Sequence, residues 1–165
     1  MRKTLINLLF ISLAASAGPL AYAQTRPASG SIELKNIAEV EVKAADGKGE
    51  KKRTPVQKTI PGTVVFYTST FKNISAKPAG NISIDNPIPA NTTLVPASTY
   101  GETMDITFSA DGGKTWATAD KVRVKGADGK ERAAVISEFT HIRWVSRGEL
   151  APGKQGEVGF RVVIN

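Results

Sequence analysis

Hydrophobic and polar positions alternate along most of this chain, and the clearest case is residues 157–164. Val158, Phe160, Val162 and Ile164 share one parity while Glu157, Gly159 and Arg161 share the other, which predicts a strand with one buried face. Pro152-Gly153 and Gly156 form a turn leading into it. The same order recurs at Pro61-Gly62, where a strand is predicted over Thr63 to Lys72 with Val65, Tyr67 and Phe71 on the inner face. Upstream, Ile32, Leu34, Val40 and Val42 mark a first strand, bent near Asn36-Ile37, with a turn at Ala44 to Gly49. After a loop from Asn73 to Gly80, Ile82 and Ile84 face inward on a short strand over Asn81 to Asp85. Pro87 and Pro89 lack amide donors, so Pro87 to Asn91 is expected at an edge, crossing between sheets. Strands then follow at Thr93 to Val95, at Met104, Ile106 and Phe108, at Val122 and Val124, and at Thr140, Ile142 and Trp144. Turns fall at Asp111-Gly112-Gly113 and Ala127 to Lys130. Seven to nine short strands with regular turns and no helix after residue 23 predict an all-β, antiparallel two-sheet sandwich.

The first residues read as an export signal. Arg2 and Lys3 precede an apolar run from Leu5 to Ala15, and Ala21-Tyr22-Ala23 places small residues for cleavage between Ala23 and Gln24. The run is shorter than the roughly 20 residues a spanning helix needs, and Gly18-Pro19 breaks it. The expected organisation is a signal peptide over 1–23, a polar flexible lead-in over 24–30 and one sandwich domain over 31–165. Removing 23 residues leaves 142 of the 165, enough to bury a core without staples. No cysteine is present, so packing alone must hold the domain and no inter-sheet disulfide is available. The expected location is the periplasm or the cell exterior, with no transmembrane anchor. The formal charge of +7 falls by the two charges of Arg2 and Lys3 to +5. Much of it lies between Lys43 and Lys58, which predicts a solvated basic loop that would also suit an anionic surface or polysaccharide. Nucleic acid is not an expected partner of an exported chain whose basic run carries no aromatic residue.

Pro61 to Tyr67, Asn73 ahead of a polar loop, Asn81 to Thr93, Ser109 to Trp116, Thr140 to Trp144 and Leu150 to Gly153 occur in an order that resembles a known family. It is the conserved repeat domain of bacterial surface and secreted proteins, domain-of-unknown-function family eleven. The resemblance spans roughly Ile60 to Asn165. It implies an immunoglobulin-like or prealbumin-like sandwich, a spacer or adhesive role at the cell surface, and no catalytic residues.

Ser109-Ala110-Asp111-Gly112-Gly113-Lys114-Thr115-Trp116 also resembles the Asp-box of sialidase-like β-propellers. One copy cannot make a propeller, which takes at least four blades, so the box predicts a hairpin turn in which Asp111 binds backbone amides. His141 is the only histidine, which argues against a zinc site; Asp46, Asp111 and Asp128, each before a glycine, are expected to form turns without a calcium ladder. No catalytic residue, metal or cofactor is assigned, and the chain is expected not to be an enzyme. The expected role is structural or protein-binding, with another envelope or extracellular protein as partner. Strand addition would use the edge around Asn86, Pro87, Pro89 and Asn91, or the terminal strand. The alternative is a carbohydrate-binding module or a relative of Asp-box hydrolases, with Trp116, Asp111 and Lys114 as contacts.

Overall fold

In the computed structural model, residues 31–43 and 51–165 are described; the expected signal peptide, the expected lead-in and the expected turn at Ala44 to Gly49 lie outside them. The strands are β1 (Ile32–Lys43), β2 (Lys51–Pro55), β3 (Val64–Asn73), β4 (Ser83–Pro87), β5 (Thr92–Leu94), β6 (Tyr100–Gly101), β7 (Met104–Ser109), β8 (Arg123–Lys125), β9 (Glu131–Ala133), β10 (His141–Ser146) and β11 (Gln155–Ile164). One sheet runs β2-β1-β3-β11-β5 with β6 also on β11, the other β4-β10-β7, and β8-β9 is a separate hairpin. The two larger sheets thus hold nine strands, six and three. Every pairing is antiparallel. The fold is an all-β sandwich.

Parity decides which side chains meet between the sheets. Val158, Phe160 and Val162 of β11, Val65 and Phe71 of β3, Ile142 and Trp144 of β10, and Met104 and Phe108 of β7 are buried there. Phe160 stacks on Tyr67 with centroids 5.1 Å apart and lies 6.1 Å from the Trp144 ring. Trp144 sits over Gly101, where a Cβ would come within 2.9 Å of the indole, and its Nε1–H donates to the Tyr100 carbonyl at 3.0 Å.

Several expectations change. β1 is continuous through Asn36-Ile37, because nine consecutive residues, Ile32 to Val40, pair in register with β3. Residues 51–55, expected as part of a solvated basic loop, form β2, whose backbone pairs with β1 from Glu39↔Pro55 to Lys43↔Lys51. Its Lys51 and Arg53 side chains reach Glu41 at 3.4 and 4.0 Å. Phe66 is buried on the outer face of the six-stranded sheet, with the guanidinium carbon of Arg53 4.0 Å from its ring centroid and that of Arg161 at 5.8 Å. The terminal strand offers no edge for strand addition, since β11 is flanked by β3 on one side and by β5 and β6 on the other. Pro87 to Asn91 does cross between sheets, carrying the chain from β4 in one to β5 in the other.

Candidate functional site at the open side of the sandwich

The backbone of β1 alternates its hydrogen-bonding direction residue by residue. The Ser31 carbonyl accepts from Ile74 on the β3 side, and the Ala38 carbonyl accepts from Val56 on the opposite side. Ile32, Leu34 and Asn36 therefore turn their amides and carbonyls away from β3. Since β2 covers β1 only from Glu39 onward, those groups lie along an open edge. β4 is the facing edge of the three-stranded sheet. There the carbonyls of Ile82 and Thr140 accept from Ser146 and Ile88, so the even positions face β10 and Ser83, Asp85 and Pro87 face outward. The proline's missing N–H is thus at the edge, where it costs no ladder bond.

Among the described residues nothing covers the sandwich between these two edges. A gap of about 890 Å³ is lined by Ile32, Leu34, Pro78, Ala79, Ile82 and Ile84. In line with it, a second of about 230 Å³ is lined by Asn36, Ile37, Ser69, Asn86, Pro87 and Pro89. Leu34 has the inward parity of Ile32, Ala38 and Val40, which pack against the core, and lies opposite the buried Phe71; yet it remains 48% exposed. Of the edge residues read from the sequence, Asn86, Pro87 and Pro89 line this gap. Asn86 spans it, its Nδ2 donating to Ser69 Oγ at 2.9 Å. Asn91 does not line it and stands in the turn before β5 with φ of 58°. The contribution of β1 carries no side-chain signature in the sequence, because nothing in its alternation tells an edge from a paired strand.

The carbohydrate candidates lie at the other edge of that sheet. Phe108 bridges to Ala117, closing the turn that holds Asp111. One Asp111 oxygen accepts from Ser109 Oγ and from the Lys114 and Thr115 amides, and the other from Thr115 Oγ1, all within 3.0 Å. These donors hold its carboxyl well below the usual range. Asp111 is therefore committed to the turn, and Gly112 and Gly113 supply the positive φ it requires. Trp116 leans over the outer face of the sheet, with the Arg143 guanidinium carbon 4.0 Å from its ring centroid and His141 edge-on at 6.3 Å. Arg143 is itself held by both Asp85 oxygens at 2.7 and 2.6 Å. Lys114 is exposed on the turn.

The chain matches no protein-family model and no curated protein. Its function must come from its own geometry. Among the described residues no group of three His, Cys, Asp or Glu side chains could hold a metal, and no helix is long and apolar enough to cross a membrane. Of the basic stretch, Lys52 and Lys58 are exposed, while Lys51 and Arg53 are engaged by Glu41.

The β8–β9 hairpin is tied down by Arg132, which donates to both oxygens of Glu138 at 2.8 and 2.6 Å; the Val135 amide donates to the same carboxylate at 2.9 Å. The guanidinium bonds first, then that amide, lower the Glu138 carboxyl to about 2. A carboxyl lowered in the folded state adds stability above its ordinary value, and that contribution disappears as pH falls through the folded value. Stability should therefore decline between about pH 4.5 and 2, and Glu138→Gln should flatten the decline, as acid titration of the thermal midpoint will show.

Proposed function

We propose that this chain is a non-catalytic module of the bacterial envelope or the cell exterior that takes an extended segment of another protein into the gap between β1 and β4. The observation that carries this reading is Leu34, a core-directed side chain left open to solvent beside a row of backbone groups that have no partner among the described residues. Added strands bind in this way, main-chain hydrogen bonds giving affinity and alternate side chains entering a pocket. Proline blunts the β4 edge but not that of β1, so β1 is the strand that would pair with the guest. The resemblance to a repeat of surface and secreted proteins points to the same kind of role.

The test is a photo-crosslinking side chain at residue 34, compared with one at residue 135, where Val135 is 56% exposed on a different surface. Position 34 should capture a discrete peptide segment from native envelope extracts, and capture should survive a rise in salt from about 50 to 500 mM. Asn36→Pro removes an amide that faces the open edge while sparing the bonds to β3. It should abolish capture while leaving the thermal midpoint within a few degrees of wild type. Equal capture at both positions, or capture undiminished by Asn36→Pro, would overturn the reading.

A further inference from the structure

A second concavity lies at the opposite edge of the three-stranded sheet. Between the turn at residues 109–117 and β8 is a cleft of about 620 Å³ lined by Thr115, Trp116, Lys121, Arg123 and Lys125, among others. Arg123 and Lys125 occupy alternate positions of β8, about 7 Å apart on one face; Lys121 stands in the turn before it, and the Arg123 guanidinium donates to the Asp120 carbonyl at 3.2 Å. Among the described residues none of these three cations forms an ion pair. Two acids share the lining. Asp111 is engaged by its own turn, and Glu131 lies opposite Lys125 across the hairpin. Asp120 lies near Lys121 and Arg123, and three cations that form no ion pair border an indole ring.

Arg143 occupies one face of that ring. What remains is an apolar plate of the kind that accepts the C–H face of a sugar ring, its polar edge still able to donate a hydrogen bond. Cations beside it attract carboxylate or sulfate and form charge-assisted hydrogen bonds with either. A neutral sugar would use the plate alone and a polyphosphate the cations alone. We propose that this cleft binds an acidic oligosaccharide, one ring resting on Trp116 and its anionic groups meeting Lys121, Arg123 and Lys125. This site is separate from the β1–β4 gap, and neither reading depends on the other.

The chain has two tryptophans, and Trp144 is fully buried, so a ligand-induced change in indole emission reports on Trp116. The purified chain is titrated with tetragalacturonate, a heparin-derived tetrasaccharide, cellotetraose and a short polyphosphate. At least one acidic oligosaccharide should change the emission saturably, with cellotetraose weaker by on the order of tenfold and affinity falling as salt screens the cations. Lys125→Glu, at an exposed position, should weaken acidic binding by on the order of tenfold, since it replaces an attractive charge by a repulsive one. By calorimetry, Trp116→Ala should weaken the oligosaccharide and leave polyphosphate unchanged. No saturable response to either acidic oligosaccharide would overturn the proposal. So would cellotetraose binding as tightly as the acidic probes, or an oligosaccharide affinity indifferent to Trp116→Ala.

Discussion

Trp144→Ala is expected to lower the stability of this domain by about 3–5 kcal/mol, the range for removing a large aromatic from a packed core. Trp144 is the largest of the side chains with no exposure, and it contacts both sheets. It sits on β10 of the smaller sheet, and its ring packs near Phe160 of the larger one. The indole N–H also satisfies the Tyr100 carbonyl, so truncation removes a hydrogen bond as well as volume. Chemical denaturation of the variant measures the loss. A change below about 1 kcal/mol would mean that the two sheets do not meet at this residue.

Asn73 is expected to be nearly as sensitive, through polar bonding instead of volume. Its side chain is fully buried; Nδ2 donates to the carbonyls of Lys77 at 2.8 Å and Leu150 at 2.7 Å, while Oδ1 accepts from the Ser75 amide and hydroxyl. One amide thereby joins the end of β3, the loop after it and the turn before β11. Asn73→Ala leaves the Ser75 amide without a partner, takes from the Leu150 and Lys77 carbonyls one of the two donors each has, and should cost about 1–3 kcal/mol. Asn73→Asp should be worse at neutral pH, because a carboxylate would face two carbonyl oxygens it cannot bond. Burial among acceptors favours the protonated acid, so the folded-state value is raised and stability should recover as pH falls through it. Urea midpoints for both variants at neutral and mildly acidic pH check the order and its convergence. If Asn73→Asp matches wild type at neutral pH, this bonding scheme is wrong. The same burial puts the Asn73-Ile74-Ser75 triplet out of reach of a glycosylating enzyme in the folded protein.

What the sequence made legible was parity. Every strand with large apolar residues on one parity, such as Val158 to Ile164 or Ile142 and Trp144, could be read together with its buried face. Features without that contrast were missed, among them β2, β6, β9 and the burial of Phe66. β2 presents Lys51, Lys52 and Arg53, and only backbone pairing to β1 makes it a strand. Phe66 has the outward parity, and it is covered by two arginine stems that come from β2 and from β11, more than ninety residues away in sequence. The candidate gap was half legible. Pro87 and Pro89 announced an edge, because a missing amide is a local property. That β1 is the strand facing it follows from sheet order, which no window of sequence contains. At the Asp111 turn the residue types gave the conformation, but not that the carboxylate would be used up inside it.

The central place of β11 has a consequence for how the fold is reached. β3 pairs with β11 along its whole length, so Tyr67 must wait for Phe160, 93 residues later, before the middle of the larger sheet exists. Among the described residues β5 and β6 pair with no other strand. Closing so long a loop costs entropy before any contact repays it, and folds dominated by distant pairings are slow, forming in milliseconds to seconds. A chain emerging residue by residue would hold β1, β2 and β3 as an unfinished three-stranded ribbon with bare apolar faces until β11 arrived. Such a polypeptide stays threadable for as long as β11 is withheld.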